Sequence, residues 1–203
     1  MRLRTLPRAN PTLPLPDGSA RPDEPSDAEL LARLRSGETV ALDHALRRYW
    51  SPLIVFLIRH TGSRETAEDM AQRTFCQLWD RRMEWRADGS LRGLLYRMAR
   101  NFAISDRRHA DAESRAVAVL AEWIPSSTTP LQLLESQQLR QELSAAVQAL
   151  PARRREVFIL RCVHDLSYRE IAEVMGTSPQ TVANQLSSAL STLRGTLSHL
   201  LGD

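Results

Sequence analysis

The sequence predicts an all-α protein of two small helical domains joined by a flexible linker, the second carrying a helix-turn-helix. Three observations predict it. Helix-favouring Leu, Ala, Arg and Glu dominate the patterned segments, while glycine is scarce, at 8 of 203 residues. Apolar residues recur at three- and four-residue spacing in several stretches. Serines, prolines and glycines stand where such stretches begin and end. An apolar fraction of 42% suffices for globular cores.

Residues 1–25 carry Pro7, Pro11, Pro14, Pro16, Pro22 and Pro25 with little apolar pattern, which predicts a disordered tail. Helix signals begin at Ser26, where Ser26-Asp27-Ala28-Glu29 has the capping-box form and Leu30, Leu31 and Leu34 follow before Gly37. A second helix is expected from Thr39 into Tyr49-Trp50. Ser51-Pro52 reads as the cap and first-turn proline of a third, ending near Gly62. From Ser63 a long amphipathic helix is expected to reach Met83, and a loop over Arg86 to Ser90 leads into another from Leu91 to about His109. These helices define an N-terminal domain over residues 26–110. Residues 111–134, with Pro125-Ser126-Ser127-Thr128-Thr129-Pro130, read as the linker, and residues 135–203 as the second domain.

The formal net charge is only +3, yet all 27 basic residues are arginine. The guanidinium fork suits phosphates and base edges, so the position of the charge has to decide whether nucleic acid is a partner. Cys76 and Cys162 have no spacing suited to a disulfide framework or a zinc site, and a reducing cytoplasm is expected. The longest apolar run, Leu53 to Ile58, is far short of the ~18 residues that suggest a membrane span, and no signal core follows the N-terminal arginines. No membrane insertion, cofactor, metal or catalytic residue is expected, because no phosphate-cradling glycine loop, metal cluster or nucleophile with its base is visible.

The most specific pattern runs from Leu166 to Val182. Ser167 and Glu170 form a capping box, Ala172 lets two helices cross closely, Gly176 suits a left-handed turn, and Ser178-Pro179 starts a second helix. This is a helix-turn-helix. Along its second helix Val182, Leu186, Ala189, Leu190, Leu193 and Leu197 share one face, leaving Gln180, Thr181, Asn184, Ser187 and Ser188 on the other. Such a surface enters the major groove, where Gln or Asn pairs with adenine. A dimeric helix-turn-helix regulator binding duplex operators fits this half equally well. A recombinase with such a tail does not, for want of a nucleophile motif.

Leu150-Pro151, then Arg155-Glu156-Val157-Phe158 and Leu166-Ser167-Tyr168-Arg169-Glu170-Ile171-Ala172, resemble the C-terminal domain of sigma factors, which reads the minus-thirty-five promoter element. The resemblance implies DNA contact by Gln180, Thr181, Asn184, Gln185 and Ser188. Ala183, Gln185 and Ser188 stand where the family usually carries basic residues, which implies a weaker grip on phosphate.

In the N-terminal domain Ala67, Ala71, Thr74, Phe75 and Leu78 form an inward stripe, leaving Asp69, Gln72, Arg73, Cys76 and Asp80 outward. The stretch from Ala67 to Trp79 resembles the sigma segment that docks on the clamp helices of the polymerase largest subunit, which implies contact by Asp69, Gln72 and Arg73. Arg73 departs from the acidic residue usual there. On the next helix Leu91, Leu95, Met98, Ala99 and Phe102 face inward, and Tyr96, Arg97, Arg100, Ile104 and Arg107 outward, with Arg108 nearby. Arginines that track a backbone beside a stacking ring suit a single strand, and a solvated arginine face is the alternative. Leu94 to Arg108 resembles the sigma helix that melts and holds the minus-ten element. This implies contact by Tyr96, Arg97, Arg100, Asn101, Arg107 and Arg108, with Arg86 to Ser90 as the loop that pockets a flipped base. Asp106, inward on the helical wheel, is expected to be a structural partner for an arginine.

The two resemblances cover Asp27 to Leu197 in order, and a linker stands where larger sigma factors carry an extra domain. The sequence is thereby similar to the extracytoplasmic-function (ECF) group. That resemblance implies a non-enzymatic, cytoplasmic factor whose partners are core RNA polymerase and promoter DNA, with an anti-sigma protein as a further candidate.

Overall fold

A computed structural model describes residues 24–86, 89–106, 141–196 and 198, and all regular structure among them is helical. The segment expected as linker lies outside the described residues, as does the expected tail up to residue 23. Glu24, at the edge of that tail, pairs with Arg48 at 2.9 Å.

Helix α1 (Asp27–Arg35) starts where Ser26 accepts the Glu29 amide and buries Leu30, Leu31 and Leu34. Only half of the expected capping box forms, because the Glu29 carboxylate turns forward to Arg33. Helix α2 spans Thr39–Thr61 without a break, with Pro52 inside it. The two helices expected on either side of Ser51-Pro52 are therefore one. An interior proline costs about 3 kcal/mol, whereas a buried Leu or Phe contributes about 1.5–3 kcal/mol. The stripe Ala41, Ala45, Tyr49, Leu53, Phe56 and Leu57 crosses the proline in register, so burial outweighs the lost hydrogen bond. The helix stops at Gly62, whose φ of 68° is left-handed.

Ser63 caps α3 (Arg64–Asp80) by accepting the Thr66 amide, and the inward stripe is buried as expected. The helix ends short of Met83. Residues 81–84 turn instead, and the following Trp85 is held at both ends, its indole donating to the Leu78 carbonyl and its own carbonyl accepting from Arg35. Helix α4 (Leu91–Asp106) is capped by Ser90 Oγ, which accepts the Gly93 amide at 3.1 Å. Helices α2, α3 and α4 pack on one another, with α1 closing against α2 and α4.

The C-terminal block begins with the helical residues 141–148 (α5), followed by α6 (Ala152–Cys162), α7 (Tyr168–Met175) and α8 (Pro179–Thr196). The capping box at Ser167 and Glu170 is complete, and Gly176, with φ 62°, makes the turn between α7 and α8. Val182, Leu186, Ala189 and Leu193 are buried. Leu190, expected on that face, is 43% exposed at the edge of the stripe, between the buried Ala189 and Leu193. Leu197 lies outside the described residues.

The two blocks do not stand apart. Leu30, Leu53, Leu78 and Leu95 from the first share one continuous core with Val157, Leu160, Leu166 and Val182 from the second. Helix α4 packs directly against α7.

Candidate nucleic-acid interface

Three surfaces were expected to act, and the structure treats them differently. At the start of α8, Ser178 Oγ accepts the Thr181 amide, which fixes the first turn. Gln180 and Asn184 are exposed one turn apart, and the Gln180 amide nitrogen donates to Asn184 Oδ1 at 3.1 Å. Each retains hydrogen-bonding capacity for a base edge. Thr181 and Ser188 are half-buried beside them. Gln185 is also half-buried, with Oε1 buried and without a hydrogen-bond partner, so its carbonyl points away from the groove-facing surface.

On α3, Asp69, Gln72, Arg73, Cys76 and Asp80 are all exposed, as expected. The Arg73 guanidinium lies 4.6 Å from the Phe102 ring centroid, so α4 positions it from below. That stacking offers a reason for arginine at this position: its planar face is used on the ring, while its edge remains at the surface.

Helix α4 departs most from expectation. Arg97, Asn101 and Ile104 are exposed. Tyr96, expected outward, is only 1% exposed. Its ring packs against Phe56 at 5.0 Å and His164 at 5.2 Å, and its hydroxyl meets His164 Nδ1 at 2.9 Å. Tyr96 is therefore not outward: Phe56 of its own block and His164 of the second enclose it between them. Burial raises the Tyr96 hydroxyl above its ordinary range and pushes the His164 imidazole down to about 3, helped by the charges of Arg59 and His60. Tyrosine therefore keeps its proton beside a neutral histidine, and the histidine tautomer sets which of the two donates.

Arg100, likewise expected outward, is half-buried and forks onto Glu156 of α6, through Nε at 2.7 Å and Nη2 at 3.3 Å. Arg107, Arg108 and the side chain of Asp106 lie outside the described residues. Sequence reasoning missed Arg92, which donates from Nε to Glu170 Oε1 at 3.1 Å and from Nη2 to Oε2 at 3.3 Å. Ser90, in the loop before α4, donates to Glu170 Oε1 at 2.5 Å. Glu170 also accepts the Ser167 amide at 2.7 Å, so one carboxylate caps its own helix and ties α7 to α4. Desolvation works against its charge, but the bonds from Ser90, Ser167 and Arg92 prevail and hold its carboxyl below the ordinary range. Asp27 anchors the same corner, accepting the Arg92 amide at 2.9 Å and the Tyr49 hydroxyl. No short-range pattern signals these pairs, because 78 residues separate Arg92 from Glu170.

The arrangement joins a helix-turn-helix with exposed amide side chains to a helix lined with arginine. Comparison with known proteins decides its kind. The family description Sigma-70 region 2 matches residues 45–113, and Sigma-70, region 4 matches residues 140–193. The RNA polymerase sigma factor YlaC of Bacillus subtilis is 32% identical over 156 residues, covering 73% of this chain and 87% of that protein. The chain belongs to the RNA polymerase sigma factor family. The ECF RNA polymerase sigma-E factor of Escherichia coli is 26% identical over 171 residues, 79% of this chain and 88% of the relative. A solved structure of CnrH in complex with the cytosolic domain of CnrY shares the fold, with a TM-score of 0.58 at 22% identity over 85% of this chain and 97% of that one.

This sigma factor, of the ECF group, binds core RNA polymerase and promoter DNA and directs promoter-specific transcription initiation, with region 4 serving the minus-thirty-five element. Among the described residues no helix is long and apolar enough to cross a membrane, and no group of His, Cys, Asp or Glu could hold a metal ion.

Proposed function

We propose that this sigma factor divides its work among three surfaces. The start of α8 reads duplex through Gln180, Thr181, Asn184 and Ser188, with Gln185 supporting the surface from its buried side. Arg97, Arg100 and Asn101 of α4, continued by Arg107 and Arg108, hold the opened minus-ten strand. Asp69, Gln72 and Arg73 of α3 meet the clamp helices of polymerase. The observation that carries this reading is the exposed Gln180 and Asn184 pair immediately after the left-handed turn at Gly176, where a recognition helix meets the groove.

The proposed units are a tail over residues 1–25, a region 2-like domain over 26–110, a linker over 111–134 and a region 4-like domain over 135–203. The factor acts in the cytoplasm, catalyses no reaction of its own, and is a candidate for control by an anti-sigma protein, since CnrH is found with CnrY and the Bartonella quintana factor RpoE with the anti-sigma factor NepR. Run-off transcription with purified core polymerase tests the reading. Promoter-specific initiation supports it; operator binding by a dimer without initiation favours a conventional regulator.

A further inference from the structure

Helix α3 carries two opposite charges one turn apart on its exposed face and keeps them from pairing. An acid four residues before a base is the favoured order for an ion pair on a helix. Asp43 and Arg47 on α2 have that order and approach to 3.7 Å, and on α3 itself Arg64 reaches Glu68 at 2.8 Å in the less favoured one. Asp69 and Arg73 have the favoured order too, yet among the described residues neither takes part in an ion pair or a hydrogen bond. The cause is α4. The Arg73 guanidinium lies 4.6 Å from the centroid of the half-buried Phe102 ring. An exposed ion pair within a helix is weak, so the ring is enough to outweigh it. Stacking fixes the plane of the guanidinium and leaves an N–H edge at the surface, a fork that matches the two oxygens of a carboxylate. Held in place beforehand, the fork loses little freedom when it binds.

We propose that Arg73, propped by Phe102, is a specificity determinant for polymerase: its fork takes a carboxylate on the clamp helices, while Asp69 takes a cation one turn away. This rests on reading α3 as the docking face. A phosphate backbone does not suit that face, because the exposed carboxylates of Asp69 and Asp80 stand on either side of Arg73 along the helix. A protein helix that carries both signs does. Two opposite charges at fixed spacing set the register of docking and reject a surface on which the signs are exchanged. Phe102 is a positioning residue that acts through Arg73: without the ring, the guanidinium swings back to Asp69 and both charges are spent within the chain.

The sign of a charge change at residue 73 separates a carboxylate partner from a cationic one. Affinity and association rate of the full-length chain for core polymerase are measured at low and high salt. Arg73 is exposed and Gln and Glu favour helix, so Arg73→Gln and Arg73→Glu keep the fold. Arg73→Gln should weaken binding about tenfold and flatten the salt dependence of association, and Arg73→Glu should weaken it about a hundredfold. Phe102→Leu, with both charged residues in place, should cost about threefold and should cost nothing further in an Arg73→Gln background. Unchanged or tighter binding of Arg73→Glu overturns the proposal while the docking face stands, provided that Asp69→Lys with Gln72→Ala still weakens binding. If that double variant has no effect either, α3 is not the docking face and the proposal fails with it. Loss of DNA binding by Arg73→Glu without polymerase, with polymerase affinity intact, would overturn it as well and give Arg73 to nucleic acid.

Discussion

The first turns of α8 and the length of α4 were expected to present polar faces to nucleic acid on the same kind of evidence, yet α8 keeps its amide pair exposed while α4 keeps only Arg97 and Asn101 so. Gln180 and Asn184 are exposed, whereas Tyr96 is buried and Arg100 is clasped by Glu156. The difference lies in what each helix packs against. Helix α8 crosses α6 and α7 on its apolar side, and among the described residues its first turns keep Gln180 and Asn184 exposed on the other, while α4 is flanked by its own block on one side and by α7 on the other. Periodicity along one helix reports the first neighbour and is blind to the second.

That comparison can be broken or sharpened by experiment. The largest effect is expected at the surface that neither helix shares. Asp69→Lys with Gln72→Ala on exposed α3 should cost about 2–5 kcal/mol of polymerase binding, because a helix-on-helix contact loses a charge and leaves its partner unpaired. Co-purification of the folded double variant at the wild-type level would remove α3 from the docking surface.

Next in size are the base contacts. Asn184→Ala or Gln180→Ala should cost about 1–3 kcal/mol at one promoter position and relax preference there, with no change in strand capture. A competition assay with promoters mutated at each position measures this, and a uniform loss at all positions would mark these residues as phosphate contacts.

Acid should loosen α4 and not α8. His164 sits against Tyr96, Phe56, Arg59 and His60, and is held neutral in the closed form, its pKa pushed from 6.5 to about 3. Once exposed, the ring takes a proton near its ordinary pKa, so the open form binds more protons. Closure is therefore fully supported above 6.5 and is weakened as pH falls from 6.5 towards 3, by at most about 1.4 kcal/mol per pH unit. Energy transfer between dyes on Cys76 and Cys162 should fall over this range, and a His164→Phe variant should lose the dependence between 6.5 and 4.5, keeping only what Glu170 adds below 4.5. An equal slope in that variant would assign the acid effect elsewhere.

The smallest effect is expected on folding, from Arg73→Ala. It removes one exposed cation–π contact with Phe102, worth about 0.5–1 kcal/mol. Urea unfolding should register that loss without any change in energy transfer between the blocks.

Much of this was legible from the sequence, and what was not has a physical cause. The Ser167 and Glu170 capping box and the Gly176 turn are local, fixed by residues within one turn of each other, and they form as read. The inward stripe of α3 is equally local. Pro52 misled because a proline signals a helix start by its own geometry, while the stripe from Ala41 to Leu57 that overrides it draws on the whole bundle. Glu170 was read as a cap and is one, but its second role needs Ser90 and Arg92, which only the packed chain brings near. Arg107, placed by helical spacing and by resemblance, and Arg108 lie outside the described residues.

The claim on which the comparison turns is that the second block covers α4 in the free factor, and tyrosine oxidation by hydroxyl radicals tests it directly. Tyr168 is 43% exposed, Tyr49 is 7% exposed within the N-terminal block, and Tyr96 is 1% exposed beneath His164. In the full-length chain without polymerase, Tyr168 should be modified rapidly and Tyr96 as slowly as Tyr49. In Glu156→Ala, Tyr96 alone should gain reactivity. Modification of Tyr96 in the wild-type chain at the rate of Tyr168 would contradict the account.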